Sequence, residues 1–143
     1  MRIAIIGSRD YPDLAQVRSY VLALPRDTVI VSGGASGVDS TAELAALDAG
    51  MERRIYRPNY ATHGRRAPLI RNELIVRDCN RLVAFWANRS AGTRHTLGIA
   101  KRIGVMTETW MPGRDVPTRS VKQHCTCEGP FGCDVHDNAK ETP

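Results

Sequence analysis

Two rhythms alternate along this chain. Short runs of apolar, often β-branched residues give way to small-residue loops, and each loop opens into a segment whose apolar positions recur at helical spacing. Arg2–Ile6 predicts a strand, followed by the loop Gly7-Ser8-Arg9-Asp10-Tyr11-Pro12. Asp13 suits the cap of the next helix, with Gln16 in a capping-box position. Leu14, Val17, Val21 and Leu24 give that helix one buried face, and Pro25 closes it. Thr28–Ser32 predicts the second strand. A helix over Val38–Ala49 follows, with Val38, Ala42, Ala45, Ala46 and Ala49 on one small-residue face and Gly50 as its stop. Arg53–Arg57 reads as a third strand, and Pro58–Gly64 as a loop. Arg66–Asp78 reads as a helix with Pro68 in its first turn and Ala67, Ile70 and Leu74 turned inward; Arg71 lies beside that stripe, within reach of a ligand edge. Arg81–Trp86 predicts the fourth strand. A helix with Leu97, Ala100 and Ile103 inward and Gly104 as cap leads to a fifth strand, Val105–Trp110.

Alternation of this kind means an α/β fold: a Rossmann-like open parallel sheet of about five strands with helices on both faces. Pro112 marks a change of composition. Residues 1–111 form the expected domain, and 112–143, poor in apolar residues, a polar tail without a fixed fold. The chain of 143 residues is long enough for one core, and no apolar run approaches the length of a membrane span. The N-terminal apolar run is too short for a secretory signal, so a cytoplasmic location is the expectation.

The net charge of +5 is uneven: the tail is slightly acidic, so the basicity belongs to the folded body, and 17 of the 20 basic residues are arginine. A GC-rich genome accounts for that preference more readily than selection for any one partner does. Either way, a positive body favours anionic ligands, and arginine suits bidentate grip on phosphate. Three of the four cysteines lie in the tail. Cys125, Cys127, Cys133 and His136 form a candidate Cys₃His zinc set, although the C-x-C spacing is tighter than usual; a tail without metal is the other reading.

In a doubly wound sheet, ligands bind at the carboxyl ends of the strands. Three loops emerge there: Gly7-Ser8-Arg9, Gly33-Gly34-Ala35-Ser36-Gly37 and Ser90-Ala91-Gly92-Thr93. The glycines bare their backbone amides, and two of the loops feed helix N-termini, which favour anions. Neither the dinucleotide G-x-G-x-x-G pattern nor the P-loop occurs. The middle loop is thus either a phosphate cradle or an ordinary tight turn. Ser8, Ser36, Ser90 and Thr93 offer hydroxyls, Arg9 and Arg71 guanidinium forks, and Asp39 either a cap or an acceptor for a ribose hydroxyl. Phe85 and Trp86 are both expected in the core; the other reading keeps one in the core and places the other to stack on a base. Asp39 and His95 are the candidate catalytic groups.

Gly7-Ser8-Arg9, the segment Gly33–Asp39, the segment Gly64–Asn72, and Phe85-Trp86 followed by Ser90-Ala91-Gly92-Thr93 resemble, in this order, the SLOG superfamily, which includes LOG- and DprA-like domains, and within it the YspA/YpsA-type branch. The resemblance spans roughly residues 1–110. It implies a fold whose glycine-loop face binds nucleotide-derived ligands, with Gly33, Gly34, Ala35, Gly37, Asp39, the Arg71-Asn72 pair and the Gly92-Thr93 turn in the pocket. It also implies pairing into homodimers.

The first expectation is therefore binding of a nucleotide, such as an ADP-ribose-like molecule or a nucleoside monophosphate, as a sensor, carrier or sequestering protein. The alternative is an N-glycosidic hydrolase like the phosphoribohydrolases of the superfamily. Against it, Arg94-His95-Thr96 stands where those enzymes carry glutamates. The second alternative is single-stranded DNA binding, as in the DNA-processing relatives. No cofactor is implied beyond zinc in the tail.

Overall fold

The computed structural model describes residues 1–120. The zinc candidates Cys125, Cys127, Cys133 and His136 lie outside the described residues. The strands are β1 (Arg2–Gly7), β2 (Val29–Ser32), β3 (Arg53–Ile55), β4 (Arg81–Phe85), β5 (Met106–Trp110) and β6 (Thr118–Ser120). The helices are α1 (Leu14–Leu22), α2 (Val38–Asp48), α3 (Tyr60–His63), α4 (Ala67–Arg77) and α5 (Ala91–Ile103). They build one sheet in the order β3-β2-β1-β4-β5-β6. β1 to β5 run parallel, as expected. β6 returns antiparallel to β5, with Glu108 opposite Arg119. The sheet thus has six strands rather than five, and it continues past residue 111.

Alternation along the central strands sends successive side chains to opposite faces. Ile3 and Ile5 of β1 join Val83 and Phe85 of β4 against α1 and α2. Ala4 and Ile6 join Leu82 and Ala84 against α4 and α5. Successive connections run from β1 outward to β2 and β3, then from β4 outward to β5. The right-handed rule for such crossovers accordingly puts α1 and α2 on one face and α4 and α5 on the other. The direction reverses between β1 and β4, which are neighbours with Gly7 opposite Phe85. Their loops open the crevice where ligands of such sheets sit.

Three helices are phased differently from the apolar pattern. In α1, Val17 and Val21 are buried, but Leu14 is exposed and Leu24 only partly covered. Asp13 caps α1 by accepting the Gln16 N–H at 3.1 Å. The Gln16 side chain turns to accept the Tyr11 hydroxyl instead of completing a capping box. In α4 the buried residues are Ala67, Asn72, Ile75 and Val76, while Leu74 is exposed. In α5 they are Thr93, Thr96, Ile99 and Ala100, with Ile103 exposed. Both α4 and α5 are rotated to carry polar residues toward the sheet at their N-terminal ends. α3 and a 3₁₀ turn over Gly64–Arg66 fill the stretch expected as loop. Cys79 is buried, with its thiol pushed up to about 11 by burial.

Candidate functional site

Between the β1 and β4 loops lies a cleft of about 620 Å³. Gly7 and Arg9 come to it from the β1 loop, Ala35 and Asp39 from the glycine loop and the start of α2, and Arg71 and Asn72 from α4. Ser90, Gly92 and Thr93 form the side contributed by α5. These are nine of the residues the sequence nominated. Ser8, Gly33, Gly34, Ser36 and Gly37 do not line it, and His95 stands behind Asn72.

The residues left out have structural tasks that the sequence did not reveal. Ser8 is buried, and its hydroxyl both donates to the Ala87 carbonyl and accepts the Ala87 N–H, each at 2.8 Å. It clamps the β1 loop to the β4 loop, with its only proton already donated and its oxygen buried away from a ligand. Gly33 donates its N–H to Asp39 Oδ2 at 3.0 Å, and its carbonyl accepts from Arg71 Nη1. The expected cradle is therefore partly filled by the protein itself. Gly37 sits at φ +83°, and a Cβ there would lie 2.4 Å from the Arg9 carbonyl oxygen. It is a glycine because the β1 loop passes over it. Its carbonyl accepts from the Thr41 N–H and from the Ser40 and Thr41 hydroxyls, which starts α2. Gly34, at φ +71°, offers its carbonyl to Arg57 Nη1 at 3.5 Å. Ser36 is exposed to solvent.

Asp39 is the hub of the glycine loop. It is 5% exposed, and burial raises its carboxyl to about 6, opposed by the Gly33 and Ala35 amides and by the Arg71 charge. Glu43, one turn on, adds to the rise and itself accepts the Ser32 hydroxyl. Arg71 is half-buried. Its Nε donates to Asn72 Oδ1 at 2.9 Å while Nη1 holds the Gly33 carbonyl, so the fork is fixed at the cleft wall. Burial lowers its pKa, and Arg9 is close enough to add to that fall. Two guanidinium groups thus converge on one hollow. Because Arg71 Nε can only donate, Asn72 must face it with its oxygen and turn its amide N–H toward His95 Nδ1, 3.3 Å away. Both catalytic candidates are therefore engaged: Asp39 holds backbone amides, and His95 accepts from Asn72.

On the opposite wall, Ser90 caps α5 without a side-chain bond to its first-turn amides; its hydroxyl instead accepts from Thr93 Oγ1 at 3.3 Å. The amides of Ala91, Gly92 and Thr93 belong to the first turn, where a helix has no internal acceptors. Space around Gly92 is open, since a Cβ there would meet nothing within 4 Å. The sequence reading missed Asp10 and Asn88, which also line the cleft and bridge its two loops at 2.6 Å. A visible signal was Asn88 itself, a residue that tolerates the left-handed region. It and Arg89 both lie at φ +53° in a turn closed by the Ser90 N–H on the Ala87 carbonyl. Phe85 is the core member of its pair, set among Tyr11, Tyr20 and Trp110. Trp86 is half-buried and donates Nε1–H to the Ser90 carbonyl, with Arg94 over its ring.

Among the described residues no group of His, Cys, Asp or Glu is placed to hold a metal ion, and no helix is long and apolar enough to cross a membrane.

The Rossmann-like fold of this domain is shared by known proteins. The family model described as DNA recombination-mediator protein A matches residues 1–53. The Gene 61 protein of Mycobacterium phage D29 is 31% identical over 114 residues, covering 73% of this chain and 91% of that protein. DNA processing protein A (DprA) from Streptococcus pneumoniae superposes with a TM-score of 0.66 at 22% identity, over 80% of this chain and 51% of that one. The structure described as showing the unique single-stranded DNA binding mode of DNA processing protein A from Helicobacter pylori superposes with a TM-score of 0.61 at 21% identity, over 82% and 68%. The chain thus spans about half the length of the pneumococcal protein. It belongs to the family of DprA-like SLOG domains.

Proposed function

We propose that this chain binds single-stranded DNA, seating the phosphate of one nucleotide in the cleft between Arg9, Arg71 and the first turn of α5. The observation that carries the reading is the number of arginines gathered at the cleft edge. Away from it, Arg2, Arg18, Arg54, Arg77 and Arg119 pair with carboxylates, while Arg26, Arg53, Arg81 and Arg102 stand in none of the ion pairs among the described residues. At the edge where the cleft opens stand Arg9, Arg57, Arg65, Arg66, Arg71, Arg89 and Arg94, and none of the ion pairs among the described residues involves them. Such a spread of arginine, of which only Arg71 faces a buried carboxyl, that of Asp39, exceeds what a single phosphate needs and matches a phosphate chain. The described DNA-binding mode of the Helicobacter pylori relative supports the same class of ligand.

A second reading, binding of a free nucleotide, is favoured by the cleft's volume of about 620 Å³, ordinary for a small-molecule site. One experiment separates the two. Fluorescence anisotropy of a labelled thymidine oligomer is followed with AMP and ADP-ribose as competitors, for the wild type and for Arg9→Ala, whose side chain is exposed. Saturable oligomer binding, weakened about tenfold in Arg9→Ala and resistant to the competitors, is the expected result. Tight binding of a mononucleotide with no affinity for the oligomer would replace the first reading by the second.

A further inference from the structure

A second, smaller cleft of about 180 Å³ adjoins the first, formed by Trp86, Ala87, Asn88, Arg89, Met111 and Pro112. Ala87 and Asn88 belong to both, so the two hollows share a wall. We propose that this cleft seats a nucleobase, that of the nucleotide next to the one whose phosphate rests on Arg9 and Arg71. The proposal rests on the single-stranded DNA reading of the first cleft.

Three observations favour a base over other occupants. The first is the lining. Met111, Pro112 and Trp86 supply the apolar part of its lining, and Met111 is accessible at the cleft. Sites for single strands combine such apolar platforms with flanking positive charge. The second is that charge. Arg89 stands in the wall, and Arg94 lies over the Trp86 ring with its guanidinium carbon 6.0 Å from the ring centre, so phosphates on either side of a seated base would meet guanidinium groups. The third is that the partition is fixed. Asn88 and Arg89 are held in the left-handed region, Asn88 is tied to Asp10, and the Trp86 Nε1–H is anchored on the Ser90 carbonyl at 3.2 Å. Two adjoining hollows, one lined by polar and apolar groups together and the other mainly apolar, with arginine beside both, suit consecutive units of a polymer. A single mononucleotide carries one base and its own phosphate.

The test compares two labelled oligomers of equal length, thymidine and fully abasic, against the wild type, Met111→Ser and Arg9→Ala. The wild type is expected to bind the thymidine oligomer at least about fivefold more tightly than the abasic one. Met111→Ser should erase most of that preference while leaving abasic affinity unchanged, and Arg9→Ala should weaken both. Photocrosslinking of an iodouracil-substituted oligomer to the wild type, read by peptide mass spectrometry, should mark Trp86 or Met111, and it does not depend on how a variant folds. If both oligomers bind equally in an Arg9-dependent way, or crosslinks map elsewhere with Met111→Ser behaving as wild type, the base site is overturned and the first cleft stands. If neither oligomer binds, both readings fail together.

Discussion

At single positions, the glycines of the site divide into those the backbone requires and those it merely tolerates. Gly37 lies at φ +83° with no room for a Cβ beside the Arg9 carbonyl, so Gly37→Ala combines left-handed strain with a backbone collision. We expect a loss of about 2–4 kcal/mol in urea unfolding. Gly92, in the first turn of α5 with open space around it, should behave oppositely: Gly92→Ala gains up to about 1 kcal/mol from reduced chain entropy. Asp39 makes a pH prediction whose sign is set by burial. Its folded pKa, about 6, lies above the ordinary aspartate value. Its favourable contribution is therefore complete below that ordinary value and is lost as pH rises through about 6, because the folded state holds the proton longer than the unfolded chain. Asp39→Asn keeps the shape and an acceptor for the loop amides but cannot ionise. In paired urea titrations from pH 4 to 7, the stability of the wild type relative to this variant should fall as pH rises. A flat or rising difference would show that the loop amides and Arg71 outweigh desolvation.

At the scale of elements, α4 shows how far apolar periodicity reaches. Ile70 and Leu74 form a stripe in the sequence, but the helix turns Ala67, Asn72, Ile75 and Val76 inward and leaves Leu74 at 48% exposure. Ile75→Ala should cost about 2–5 kcal/mol, and Leu74→Ala should stay within about 0.5 kcal/mol of the wild type, measured by chemical denaturation. The reverse order would restore the phase expected from the sequence. The strands were legible because doubly buried strands are written as continuous apolar runs, and Ile3–Ile6 and Leu82–Phe85 are such runs. The loops were legible because glycine and small residues have few other reasons to cluster after a strand. Helix phase was not, because Asn72, Thr93 and Thr96 face inward to build the cleft wall, and a search for apolar faces scores polar inward positions as solvent. The fate of the loop amides was hidden for a related reason. That Asp39 folds back onto Gly33, and that Ser8 clamps Ala87 across 79 positions of chain, are tertiary facts with no local spacing to betray them. β6 escaped notice because a short polar strand carries no periodicity of its own and is defined by its pairing with β5.

Across the whole molecule, charge is arranged by position more than by number. At the end of the sheet far from the cleft, Asp78 gathers Arg2, Arg54 and the Tyr56 hydroxyl, and Glu73 takes Arg77. At the cleft end Arg9, Arg57, Arg65, Arg66, Arg89 and Arg94 stand in none of the ion pairs among the described residues, while Arg71 is held by the Gly33 carbonyl and feels the buried Asp39 carboxyl. If the ligand is a phosphate chain, its affinity must fall linearly with the logarithm of salt concentration, with a slope of about 0.7 per phosphate neutralised. Neutralising Arg57, Arg65 and Arg66 together to glutamine should lower that slope by about 0.7 for each residue in contact, with the fold intact, since all three are outside any ion pair among the described residues. Neutralising Arg26, Arg53 and Arg102, at the opposite end of the sheet and likewise outside those pairs, removes the same net charge and should leave the slope unchanged. A general attraction between a basic body and DNA would respond alike to both sets. A track across the cleft edge responds only to the first, and anisotropy titrations of a thymidine oligomer at several salt concentrations read the difference directly.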